Sequence, residues 1–200
     1  MRRSTRDDPS GIDWPEEKTP NRPFFRVPEL AEIERKIRES GMPAAEFHAD
    51  LVIFLVISGL RSFEFGRLRA EDIEFDSQNG GGVIHAKGKR GGIRRIEVGT
   101  GDEDLVRRMQ ERCEDGPILT PSGLATVLKR WSNKLKDPRL SARALRRSFA
   151  TDMSDGSDLR TIQAQMGHST LATTEKYLGV LPERARAAAD RRHHRLRGEP

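Results

Sequence analysis

Apolar residues first recur at helical spacing at Leu30, Ile33 and Ile37, in a stretch that opens at Val27-Pro28-Glu29 and runs to about Arg38. Proline at its front, acid in its first turn and Gly41 beyond its end are the punctuation of a helix. From about Ala44 to Ser58 the chain is apolar nearly all round, through Leu51-Val52-Ile53-Phe54-Leu55-Val56, which predicts a central buried helix broken by Gly59. A short helix is expected from Arg61 to Arg69. The period then falls to two: Ile73-Glu74-Phe75, Val83-Ile84-His85 and Ile93 to Val98 read as three short antiparallel strands, separated by Gly80-Gly81-Gly82 and by a basic, glycine-rich loop. Helical spacing returns in Asp102 to Cys113 and again behind Thr120-Pro121, where Leu124, Leu128, Trp131 and Leu135 recur. At that spacing Trp131 is a core residue, not a stacking platform for a base. Ser141 and Asp158 are expected to cap helices reaching about Met153 and Met166, and Thr170 to start a short helix carrying Tyr177. The predicted fold is mainly α with a small three-stranded antiparallel sheet, in one domain (28–181) between a leader (1–27) and a basic helical tail (182–200).

Two hundred residues are enough for one hydrophobic core. Lys and Arg outnumber Asp and Glu by 36 to 31, giving a net charge of +5, which permits a polyanionic partner without requiring one. Clustering is more informative: five Lys and Arg and no acid from His85 to Arg95, four arginines and no acid from Arg139 to Arg147, six arginines against three acids in the last twenty residues. Cys113 is the only cysteine, so an intramolecular disulfide is excluded, and no Cys/His spacing fits a zinc site. His193 and His194 are adjacent and would not face one metal on a helix. Met1 to Pro23 has no apolar segment of a signal peptide, and the run from Leu51 to Ile57 is far shorter than the roughly 20 residues that span a bilayer. The expectation is a cytosolic protein with no membrane segment.

The candidate chemistry lies in four places. Ser58-Gly59-Leu60-Arg61-Ser62-Phe63-Glu64, Ala144-Leu145-Arg146-Arg147-Ser148-Phe149-Ala150-Thr151, Gly167-His168-Ser169-Thr170 and the single tyrosine, Tyr177, follow in that order with Lys87 between the first two. Taken together they resemble the catalytic domain of the tyrosine recombinase (phage integrase) family from about Pro28 to Leu181. The resemblance implies the DNA breaking-rejoining fold, Tyr177 as nucleophile, Arg61 and Arg146 as the phosphate-binding arginines, Glu64 orienting the site, and no cofactor. It also implies a 3′-phosphotyrosyl intermediate that stores the bond energy, so that neither metal nor ATP is needed. The chemistry fits these residue types. A phosphodiester gains and spreads negative charge in its transition state, and a guanidinium fork bonds two phosphate oxygens at once while staying charged at any working pH.

A phenol with an ordinary pKa near 10 must lose its proton as it attacks, and the departing 5′ oxygen must gain one. Lys87 matches the family's hairpin lysine and is the candidate acid, with Lys89 the competing choice. His168 donates to the phosphate or to the nucleophile, unless it merely caps a helix. Lys89, Arg90, Arg94 and Arg147 are the expected DNA contacts, with a structural role as the alternative for Arg147. The chain departs from the pattern at Arg143, where the family usually carries histidine; arginine is no general base at neutral pH, so Arg143 is expected to hold phosphate while proton removal falls elsewhere. Arg61 and Glu64 alone would make an exposed ion pair worth under about 1 kcal/mol.

Only residues 1–27 precede the catalytic fold, where family members usually carry a further DNA-clamping module. The expectation is a one-sided binder of double-stranded DNA whose affinity rests on phosphate contacts and falls with salt, with sequence recognition either poor or supplied by a separate DNA-binding protein. The tail after Tyr177 resembles the helix that family members dock onto a neighbouring protomer, implying a homo-oligomer on DNA; the alternative is a basic helix touching DNA backbone. The function expected is a site-specific recombinase or integrase. The alternatives are a catalytically weak DNA-binding module of the same fold and a relaxing enzyme like a type IB topoisomerase.

Overall fold

Helix α1 (Val27–Arg38) starts where Pro28 removes an N–H that would have had no partner and the Glu29 carboxylate turns back to accept the Arg26 N–H at 2.8 Å. It lays Leu30, Ile33 and Ile37 on α2 (Ala45–Ser58). Leu51, Val52, Phe54 and Leu55 of α2 are all buried, so this helix is the axis of the core. A second fastening is ionic: the buried Asp50 carboxylate accepts from Arg38 Nη2 of α1 at 2.7 Å and from Arg108 Nε at 2.8 Å. The computed structural model describes residues 23–78, 80–89, 91–154 and 157–167. The expectations for the leader up to residue 22, for Arg90, and for His168, Tyr177 and the tail lie outside the described residues.

At Gly59 the backbone enters the left-handed region (φ 54°), and a Cβ there would stand 2.4 Å from the Phe149 ring. Glycine therefore lets the chain leave α2 directly beneath the site. The helix expected from Arg61 to Arg69 is only α3 (Ser62–Phe65). It stops because Gly66 is pressed against Pro121 and Leu68 is drawn into the core, so the chain bends and re-forms as a 3₁₀ turn at Ala70–Asp72.

The sheet has the order β1 (Ile73–Phe75), β2 (Gly82–Lys87), β3 (Ile93–Val98), all antiparallel. Its middle strand is longer than expected at both ends. Ile84 pairs with Ile73 on one side and Ile96 on the other; Ala86 pairs with Arg94, and Lys87 with Ile93. Ile73, Ile84, Ala86, Ile96 and Val98 face the core, and Glu74, His85, Lys87, Ile93 and Arg95 take the other face, as strand alternation requires.

Helix α4 (Glu103–Glu111) is shorter than the sequence suggests, because Thr100–Asp102 winds as a 3₁₀ turn and the chain turns out after Glu111. Its Gln110 amide donates to the carbonyls of Ala70 and Ile73 at 3.0 and 2.8 Å, tying helix to sheet. The remaining helices start at the caps read from the sequence. In α5 (Pro121–Leu135) Thr120 Oγ1 accepts the Gly123 N–H, in α6 (Ala142–Met153) Ser141 accepts the Ala144 N–H, and in α7 (Leu159–Met166) Asp158 accepts those of Arg160 and Thr161. Trp131 is fully buried, as expected of a core residue. Phe149, Ala150, Ile162 and Met166 form a small separate cluster that seats α7 on α6. Among the described residues no helix is long and apolar enough to cross a membrane.

Candidate active site

The turn that follows α2 carries Arg61, and Glu64 reaches back from α3 to accept the Arg61 backbone N–H at 2.8 Å. The same carboxylate binds Arg61 Nη1 at 2.7 Å and Arg94 Nη2 at 2.6 Å, with Arg146 Nη1 at 3.8 Å. Glu64 is 2 % exposed and Arg94 8 %, so the part-exposed Arg61 is anchored on a buried carboxylate and does not form a fully exposed pair with it. Burial alone would raise the Glu64 carboxyl; Arg94, the Arg61 N–H and the Arg61 guanidinium outweigh it and hold the acid below its ordinary 4.5. One anion faced by three cations leaves the cluster positive.

Those three arginines converge on one further element. Arg94 donates to the carbonyl of Gln165, Arg146 to that of Met166, and Arg61 to that of Gly167 at 3.0 Å. The C-terminal carbonyls of a helix lack partners within it and lie at the negative end of its dipole, so guanidinium groups suit them on both counts. Arg146 also donates to the Gly59 carbonyl, joining the end of α2 to the end of α7. Gly167 closes α7 in left-handed backbone (φ 59°), where a Cβ would come 2.5 Å from Arg94 Cδ. The residue that follows is His168. Arg61 keeps about a third of its side chain in solvent (32 %), while Arg146 is buried. A phosphate approaching the exposed edge of Arg61 would meet a planar fork already oriented by Glu64.

Arg61, Glu64 and Arg146 are thus brought together. Arg94, expected as a DNA contact, belongs to the same cluster and is a correction: it follows the inward face of β3, two residues before the buried Ile96, and its charge is taken up by Glu64. Arg147, read from the sequence as structural or as touching DNA backbone, is buried on α6, one turn after the exposed Arg143 on the same side of the helix. Lys87 is not among the arginines. It ends β2 on the outer face of the sheet, where its Nζ lies 2.6 Å from the buried Asp72 carboxylate. Lys89 Nζ sits over the Phe63 ring of α3, 5.4 Å from its centroid. Asp72 was missed by sequence reasoning, since nothing in Ala70-Glu71-Asp72-Ile73 marks its acid for this contact. The inward turn of Arg94 was legible in the alternation with Ile96.

The XerC tyrosine recombinase of Syntrophus aciditrophicus (strain SB) is 31 % identical over 164 residues, which are 70 % of this chain and 51 % of the relative. The XerA tyrosine recombinase of Pyrococcus furiosus is 28 % identical over 193 residues, 87 % of this chain and 65 % of the relative. The chain spans about half the length of the XerC relative. Among solved structures, the XerH site-specific recombinase bound to palindromic difH substrate in a post-cleavage complex superposes with a TM-score of 0.68 at 26 % identity, over 83 % of this chain and 51 % of that one. The catalytic domain of bacteriophage HP1 integrase, at 15 % identity and a TM-score of 0.52, shares the fold over 84 % of this chain and 94 % of its own length. The phage integrase family model matches residues 27–184, from the first turn of α1 to beyond Tyr177, and with the arginines and Glu64 gathered at the end of α7 the chain belongs to that family.

Proposed function

We propose that this chain cuts double-stranded DNA by in-line attack of the Tyr177 phenol on a phosphodiester, leaving Tyr177 joined to the 3′ phosphate and a free 5′ hydroxyl, and that it rejoins a strand by the reverse step. The observation that carries the reading is the convergence of Arg61, Arg94 and Arg146 with Glu64 on the carbonyls of residues 165–167, immediately ahead of His168 and ten residues ahead of Tyr177. Donors fixed in this way need no reorganisation when charge develops on phosphorus, and each is worth roughly 3 kcal/mol of barrier. In this reading Arg61 and Arg146 hold the non-bridging oxygens, Glu64 and Arg94 keep those forks in place, and the exposed Arg143 meets a neighbouring phosphate. His168 donates to the phosphate or the nucleophile. Lys87 supplies the proton for the departing 5′ oxygen. Strand exchange between two duplexes, with protomers linked through the basic tail, follows the same reading, and DNA as the substrate draws support from the XerH complex with difH.

The test is a covalent trap. The protein is incubated with a nicked duplex whose short 5′ product diffuses away, and a DNA adduct is sought after denaturation. Wild type is expected to form the adduct and Tyr177→Phe to form none; Arg61→Ala should cut the rate by roughly a hundredfold or more with its melting transition retained. Absence of adduct from wild type at every salt concentration would replace this reading by a DNA-binding module without chemistry. Relaxation of a plasmid by the monomer would replace strand exchange by topoisomerase-like action.

A further inference from the structure

Lys87 and Arg94 stand one residue out of phase across the β2–β3 pair. Arg94 is opposite Ala86 and points into the core face toward Glu64; Lys87 is opposite Ile93 and shares its outer face. Directly paired residues of an antiparallel ladder project to the same side, so the candidate acid and the arginine cluster lie on opposite faces of the sheet. On that outer face Lys87 does not simply extend into solvent. Its ammonium lies 2.6 Å from Asp72 Oδ1, with 43 % of the lysine side chain exposed and 5 % of the aspartate. The other oxygen of Asp72 accepts the Arg69 N–H at 3.0 Å, which fixes the carboxylate at the foot of β1. Outward of this pair, Glu74 meets His85 at 3.3 Å, so the carboxylate facing Lys87 is Asp72.

Resting on the function proposed above, we infer that Asp72 parks Lys87 on the outer face of the sheet and that cleavage requires this ion pair to open. In the cleavage step the Tyr177 oxygen bonds to phosphorus and its proton passes to a base or to water. The bond from phosphorus to the 5′ oxygen breaks, and Lys87 gives one ammonium proton to that oxygen, later regaining one from solvent. To do so Lys87 must leave a buried carboxylate without its counter-charge, which opposes the move. An uncharged group at residue 72 removes that opposition. Asparagine and serine both keep an oxygen for the Arg69 N–H.

Single-turnover adduct formation by wild type, Asp72→Asn, Asp72→Ser and Lys87→Ala, with each residue-72 change also placed in the Lys87→Ala background, tests this on two nicked duplexes. One has the natural bridging 5′ oxygen and the other sulfur in its place, a leaving group that departs without an acid. Both residue-72 variants should cleave the oxygen duplex about fivefold faster than wild type, the population effect of one partly exposed ion pair. The gain should vanish in the Lys87→Ala background and on the sulfur duplex. A purely structural role for Asp72 would instead slow both duplexes alike. Rates at or below wild type for both variants on the oxygen duplex, or a gain that survives without Lys87, overturn the proposal while the wild-type adduct keeps the functional reading. A wild type that forms no adduct with either duplex removes that reading, and this proposal with it.

Discussion

Replacing Glu64 by glutamine tests the arginine cluster directly. The carboxylate is shared by Arg61 and Arg94 at 2.7 and 2.6 Å, with Arg146 at 3.8 Å, and Arg94 is 8 % exposed. Glutamine keeps the shape and one oxygen, enough for the Arg61 N–H, but leaves the buried Arg94 charge without an anion. Breaking a buried pair in this way costs roughly 3–5 kcal/mol, and the retained hydrogen bond places the loss near 3. With a urea dependence of about 2 kcal/mol per molar, the unfolding midpoint should fall by roughly 1.5 M. The loss should also depend on pH. The folded-state pKa of Glu64 lies below the unfolded value of 4.5, so its contribution is complete above 4.5 and disappears as the pH falls through the folded-state value. The gap between wild type and Glu64→Gln, measured by urea melts from pH 7 to pH 3, should therefore be widest at neutral pH and narrow toward the acid end. A midpoint change under about 0.3 M at pH 7, or a gap that does not narrow with acid, would refute the argument that one carboxylate holds three guanidinium groups together.

Two further changes probe the frame around the cluster. Gly59→Ala puts a Cβ 2.4 Å from the Phe149 ring at a φ of 54°, and the combined strain and clash should cost about 3 kcal/mol, read as a melting temperature lower by roughly 6–12 °C, with partial recovery when Phe149 is shortened to leucine. His48 is buried with its ring centroid 6.0 Å from that of Trp131; burial first and Arg130 second hold it below the ordinary 6.5. The unfolded chain then takes up the proton before the folded one, so stability should drop as the pH falls below about 6.5, and His48→Gln should flatten that part of the melting-temperature profile.

What the sequence makes legible depends on how local each signal is. Thr120, Ser141 and Asp158 were readable as caps because each bonds to a backbone N–H two or three residues away. The buried axis of α2 was readable because apolar residues surround it on every side. Charge is different, because a cluster of basic residues shows abundance and not direction. The five Lys and Arg from His85 to Arg95 look like one DNA-facing patch when counted. Alternation splits them: Arg94 follows Ile96 inward to Glu64, while Arg95 turns outward to Glu97 at 2.8 Å and Lys87 to Asp72. The deciding fact is the extent of β2. In Ala86-Lys87-Gly88 the lysine stands where strand gives way to the basic, glycine-rich loop, and because the ladder continues through Lys87 its register sets the face on which the lysine rests. A strand ending at His85 would have left Lys87 to take either side. Because the ladder runs on, the lysine and the arginines of one proposed reaction start on opposite faces of a three-stranded sheet, so their meeting at a phosphate requires a movement and not merely a binding site.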